Sequence, residues 1–325
     1  GEVSSGATAE DYRSQIINLT GVNKADTAVA TSSGDIVLFG KDNVGFSGDA
    51  VTNGGNFDVS SEATISFTGT IANTETNTPE NKVVVVTDGG DIAVNAVRGS
   101  TGTTSVEVVN AVLDASDKAT DGTANGNVKI KAETKTETYS WAIGMESVAE
   151  IDIEKSEITG DNVNIFASAS NTGVVGQDPE NVTEEAVAKA MGAAKAQGES
   201  SNIGAMLSAV ADQIATDKLG EIRTIATYTD VGARAEVHIK ESDIDAIGGT
   251  KVNDSGHGYA NVKTDARSDI QTTGLGLFNF NFTFGASSLD SKIIIEDSNL
   301  SAAKDVKLDA AGINNVGLSY LEVGK

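Results

Sequence analysis

The sequence predicts an all-β solenoid, a stack of short-stranded coils, and three observations predict it. One spacing of apolar and small residues recurs four times. Each copy is followed by a second element that recurs with it. Glycine is abundant and proline nearly absent, with 35 Gly and 2 Pro in 325 residues. Gly at roughly 11% exceeds the average of about 7%, and with so little Pro it reads as tight turns between strands.

The first element is Val106-Glu-Val108-Val-Asn-Ala111-Val-Leu113. It returns as Ile151-Asp-Ile153-Glu-Lys-Ser156-Glu-Ile158, Val237-His-Ile239-Lys-Glu-Ser242-Asp-Ile244 and Ile293-Ile-Ile295-Glu-Asp-Ser298-Asn-Leu300. Alternation of period two makes each a strand with one buried and one wet face. The alternation breaks before the Ser or Ala, so the chain bends there with a small residue inside the corner. The second element is Asn127-Val128-Lys-Ile130-Lys-Ala132, and Asn162-Val163, Asn261-Val262 and Asp305-Val306 open its other copies. Degenerate copies stand upstream at Asn56-Phe57-Asp-Val59 and Asp91-Ile92-Ala-Val94-Asn-Ala96. Stacked coils set like residues over like at about 4.8 Å, giving Val/Ile ladders inside and Asn, Asp and Ser ladders at turns. A few coils cannot bury a core, but a stack can. The competing architecture, a tandem array of antiparallel sandwiches, would favour longer repeats, more Pro and a core Trp in each module.

One stretch departs from this pattern. Residues 180–220 read as a helical insertion within a single 1–325 solenoid segment. Thr183 caps an Ala-rich helix over about 183–197, with acids in its first turn. Ile203, Met206, Leu207, Val210 and Ile214 fall on one face of a second, over about 202–218.

Charge narrows function. Lys and Arg number 23 and Asp and Glu 47, a net −24. Such a chain repels phosphate backbones and anionic lipid heads, which excludes nucleic acid as a natural partner. Cys is absent, so disulfides and thiolate chemistry are excluded. No apolar run approaches the roughly 18 residues of a membrane span, so this segment is not expected to insert. The chain starts and stops amid patterned sequence and reads as a piece of something longer.

Catalytic sets are sparse. The sequence holds no Gly-x-Ser-x-Gly elbow and no phosphate-binding Gly-x-x-x-x-Gly-Lys loop. Of the two His, His238 is expected on an outward strand position and His257 in a turn. The Asp114–Gly122 stretch lacks the ligand spacing of an EF-hand and reads as a solvated loop. No cofactor and no metal are expected. The aromatics are more informative. Counting from Val128 as inward places Tyr139 and Trp141 outward, beyond Lys129, Lys131, Glu133, Lys135 and Glu137. Exposed aromatics stack on sugar rings or anchor a protein partner, so this pair is the candidate binding site. Cover by the helical insertion is the structural alternative. Phe278, Phe280, Phe282 and Phe284 read as a core-facing row.

The units Ala149–Ala167 and Ser291–Ala310 resemble the repeats of large bacterial filamentous adhesins, the leukotoxin-type and filamentous-haemagglutinin-like autotransporter surface proteins. Thr273–Ser287 is similar to their Gly/Ala-rich joining stretches. The resemblance covers roughly residues 85–320. It implies a right-handed parallel β-helix, secreted or held at the cell surface by an outer-membrane-attached parent, with no catalytic residue to carry over. The expected function is therefore an elongated stalk presenting a binding surface to a host or bacterial surface protein or glycan. The rival is a β-helix polysaccharide lyase or hydrolase, which lacks here the basic cluster beside paired acids that an acidic substrate needs.

Overall fold

A computed structural model describes residues 16–19, 22–24, 27–31, 34–70, 80–117, 125–139, 145–176, 225–248, 256–276 and 281–322. Among these, every regular element is a strand. The insertion predicted over 180–220 lies outside the described residues, as do Phe278 and Phe280; of Phe282 and Phe284 only the strand is described.

Three short strands come first: β1 (Ile16–Leu19), β2 (Val22–Lys24) and β3 (Thr27–Ala30). Six triplets follow. They are β4 (Ile36–Gly40), β5 (Asn43–Phe46) and β6 (Asp49–Thr52); β7 (Phe57–Ser61), β8 (Thr64–Thr68) and β9 (Val83–Val86); and β10 (Ile92–Arg98), β11 (Gly102–Val109) and β12 (Ala111–Asp114). Next come β13 (Val128–Tyr139), β14 (Met145–Glu154) and β15 (Glu157–Gly160), then β16 (Val163–Gly176), β17 (Ile225–Lys240) and β18 (Asp243–Ala246). The last is β19 (Tyr259–Gly276), β20 (Asn281–Glu296) and β21 (Asn299–Ala302), and β22 (Asp305–Glu322) closes the series. From β4 to β19 each strand pairs in parallel with the strand three places on. Successive strands therefore visit three sheets in turn. The opening strands differ: β3, β2 and β1 pair antiparallel with β4, β5 and β6, and cover the free edge of the first triplet.

The predicted ladders are present. Val106 lies opposite Ile151, Ile151 opposite Val237, and Val237 opposite Ile293. The same column runs upstream through Ile65 and Val44. Phe57, Ile92, Val128 and Val163 likewise stand in one row. One alignment differs. Val262 faces Ile165 instead of Val163, a slip of two residues that keeps its face but puts Ala260 in the expected place. The cause is at the strand's entry, where the Tyr259 N–H donates to Asn162 Oδ1 at 2.9 Å.

The bend falls where the alternation breaks. Asn110, Lys155, Glu241 and Asp297 all take left-handed φ between 47° and 50°. The residue after each turns inward, and Ser156 and Ser242 are buried. Their hydroxyls link the stack: the Ala111 N–H donates to Ser156 Oγ at 3.1 Å, and the Ser156 N–H to Ser242 Oγ at 3.1 Å. At another corner an Asn/Asp ladder does the same. Backbone N–H groups of Asn56, Asp91 and Asn127 donate to Asp35, Asn56 and Asp91 of the preceding coil.

The core runs down the middle of the three sheets. Phe46, Phe57 and Phe67 fill it near the amino-terminal end, ring centroids 5.8–6.1 Å apart. Ile, Val and Ala replace them further along. From β13 onward the strands of two sheets lengthen, and part of the space between them is polar. There Thr136 and Ser147 share a hydrogen bond of 2.7 Å, and the Ser147 hydroxyl donates to Asn171 Oδ1 at 2.7 Å.

Candidate binding surface

Parity along β13 is as the sequence predicts through Glu137. Val128, Ile130, Ala132, Thr134 and Thr136 are buried, and the Lys and Glu between them face solvent. The alternation leads to Tyr139, whose backbone pairs with Val174 at the far end of the strand. The Tyr139 side chain and all of Trp141 lie outside the described residues.

What the structure adds is a cleft two residues away. Strand β10 ends at Arg98, opposite Thr134, while β13 continues to Tyr139. The unmatched length of β13 forms one wall. The Gly99–Thr101 turn and Met145 complete a cleft of about 320 Å³, in which Lys135 and Glu137 offer a cation and a carboxylate. The Arg98 Nε donates to Ser100 Oγ at 2.9 Å and fixes the turn. Sequence reading missed Gly99–Thr101 and Met145. The only signal was the Gly99-Ser-Thr-Gly102 turn, which marks a loop but not what it faces.

The other charged groups lie along the strands, with Lys135 and Glu137 of the cleft among them. Ion pairs within strands stud the outer face: Lys131 with Glu133, Lys135 with Glu137 at 4.0 Å, Lys263 with Asp265 at 3.9 Å and Arg267 with Asp269 at 2.8 Å. His238 is on an outward position of β17, as predicted, with Asp152 at 3.8 Å and Glu296 at 3.4 Å. Partial burial raises the Asp152 carboxyl above its ordinary value; His238 opposes this, and Glu236 and Glu154 add to it. His257 sits in the predicted turn and pairs through Nδ1 with the buried Asp161. Asp114 accepts from the Ser116 backbone N–H at 2.9 Å, and residues 118–124 of that loop lie outside the described residues. Among the described residues no group of three His, Asp or Glu is placed to hold a metal ion. No described helix is long and apolar enough to cross a membrane.

Such a surface offers hydrogen-bond donors and acceptors along parallel strands, which suits recognition of polar ligands. Compared with known proteins, the chain matches no family model, no curated protein and no solved structure.

Proposed function

We propose that this chain is a right-handed parallel β-helix that serves as a structural and binding segment of a secreted or cell-surface adhesin. The single observation that carries the reading is the unbroken parallel column from Val44 through Ile65, Val106, Ile151 and Val237 to Ile293. A coil is added at each step of about 4.8 Å, so the stack gains length without widening its core. Backbone hydrogen bonds between coils supply rigidity without disulfides. The outward charged faces and the cleft beside Lys135 and Glu137 then carry recognition of a host or bacterial surface protein or glycan. The net charge of −24 disfavours nucleic acid. The segment needs no cofactor for this role and acts by reach and contact, not by turnover.

The test is a binding screen of the chain on a glycan array and on immobilised host matrix proteins, beside an assay for uronate-polymer cleavage. Saturable binding with no cleavage is the expected result. Cleavage lost on replacing one acid, Lys or Arg without loss of fold would establish the lyase or hydrolase instead.

A further inference from the structure

We infer that β16 forms the floor of a trough that binds an extended, uncharged oligosaccharide. The inference deepens the adhesive reading and rests on it. Three neighbouring strands of one sheet carry it. The outward residues of β16 are Asn164, Phe166, Ser168, Ser170 and Thr172, none charged. The strands on both sides are charged at every matching level from Phe166 on, and in the same order. Phe166 lies between Lys131 and Lys263, Ser168 between Glu133 and Asp265, Ser170 between Lys135 and Arg267, and Thr172 between Glu137 and Asp269. A neutral strand, hydroxyl-bearing from Ser168 to Thr172, is thus flanked on both sides by charged side chains.

The dimensions follow from sheet geometry. Two strand spacings put the walls about 9.6 Å apart at the backbone, and the floor from Asn164 to Thr172 is about 27 Å long. Ion pairs along each wall strand link its side chains to one another, and Lys263 also reaches over Phe166.

The chemistry selects the occupant. Hydroxyls on the floor and both signs of charge on the walls offer donors and acceptors to sugar hydroxyls throughout. Phe166 supplies a ring face for the C–H face of a pyranose. The Lys263 ammonium lies 5.6 Å from that ring's centroid, near the outer limit of a cation–π contact, and an arriving sugar displaces it at little cost. The acidic bands at Ser168 and Thr172 decide against a polyanion. A chain with a carboxylate or sulfate on every sugar would set charge against Glu133 and Asp265 or against Glu137 and Asp269. The balanced walls leave a neutral chain unopposed in a protein of net charge −24.

The test uses the whole chain and an array of linear neutral oligosaccharides of two to six sugars, with polyuronates and an extended-peptide library on the same slides. The expected result is binding of a neutral series that tightens with length and then levels off. Phe166→Ala should weaken it about thirtyfold, the loss of an anchoring aromatic. Ser168→Arg should abolish it. The new side chain fills the floor and is held by Glu133 and Asp265, so the fold is retained, as unchanged circular dichroism will show. Glu107→Gln, on an exposed position of another sheet, should bind as the parent does. The inference is overturned if no neutral oligosaccharide binds, if polyuronates or peptides are preferred, or if Ser168→Arg binds normally. If the chain captures a host protein in the broader screen yet none of these sugars, the adhesive reading stands and the trough falls.

Discussion

The spacing between coils is set most tightly where glycines stack, and Gly90→Ala tests it. Gly55, Gly90 and Gly126 succeed one another at the same corner. A Cβ on Gly90 would lie 2.1 Å from the Gly55 carbonyl oxygen, and one on Gly126 only 2.0 Å from that of Gly90. Ordinary carbon–oxygen contact needs more than 1 Å beyond this, and the obstructing atoms are backbone. Relief requires the coils to part locally by about 1 Å. That would stretch the Gly54 N–H to Thr87 carbonyl bond and the Phe57 N–H to Asp91 carbonyl bond, both 2.9 Å, past hydrogen-bonding range. The Asp91 N–H to Asn56 Oδ1 bond, also 2.9 Å, would go with them. At about 1 kcal/mol net for each, the cost is about 3 kcal/mol, the upper part of the usual range for overpacking. Urea unfolding followed by circular dichroism measures it. Two glycines serve as references. Gly99 has nothing within 4 Å of a Cβ, and Gly99→Ala should fall within about 0.5 kcal/mol of the parent. Gly54, at φ +82° with its nearest contact at 3.9 Å, should cost about 1–2 kcal/mol as Ala, from backbone conformation alone. If Gly90→Ala unfolds at the same urea concentration as Gly99→Ala, the corner is not close-packed and the account of coil spacing is wrong.

Three further expectations concern other links in the stack. Ser242→Ala removes the acceptor of the buried Ser156 N–H and should cost about 1–3 kcal/mol in the same assay, whereas Ser298→Ala, in a less buried bend, should cost less. Asp58 has its carboxyl raised by burial first, then by Asp35 and Asp91, so its charged form is disfavoured in the folded chain. That penalty is present above the folded-state pKa and fades as pH falls toward the unfolded value. Asp58→Asn should accordingly stabilise the protein at pH 7, with the advantage shrinking in acid; equal stabilisation at both pH values would contradict the assignment. Deleting 180–220 should leave the β-type circular dichroism intact, and Trp141 fluorescence read before and after decides the cover of the aromatic pair. A red-shifted, quenchable Trp141 in the intact chain keeps Tyr139 and Trp141 as a binding site, and a blue-shifted, protected one removes them.

How much of this could be read from the chain depended on what each feature is made of. The column through Val106, Ile151, Val237 and Ile293 was legible because stacking demands the same residue type at every step, so physical repetition leaves a textual one. The same column continues through Val44 and Ile65, but there Phe46 and Phe67 stand where Val and Ile stand later, and Asp49 and Thr70 stand at the spacing that carries Ser or Ala in the later copies. Packing three rings into this end of the core needs volume, not repetition, and the motif dissolves. The slip at Val262 has a related cause. Its Asn-Val pair copies the motif, while the register is fixed two residues earlier, by a backbone N–H on Tyr259 that any residue but Pro supplies. Sites were harder still. Alternation announces that Lys135, Glu137 and Phe166 face outward, but a cleft forms only because β10 stops at Arg98 and β13 does not. A neutral strand becomes a trough floor only because the strands stacked on either side of it are charged at the same levels. The first belongs to a neighbour about 36 residues upstream, the second to neighbours about 35 upstream and, beyond the 177–224 segment, about 97 downstream. In a stacked fold the chain records which way each residue points; its company across the stack is decided by register, and recognition depends on the company.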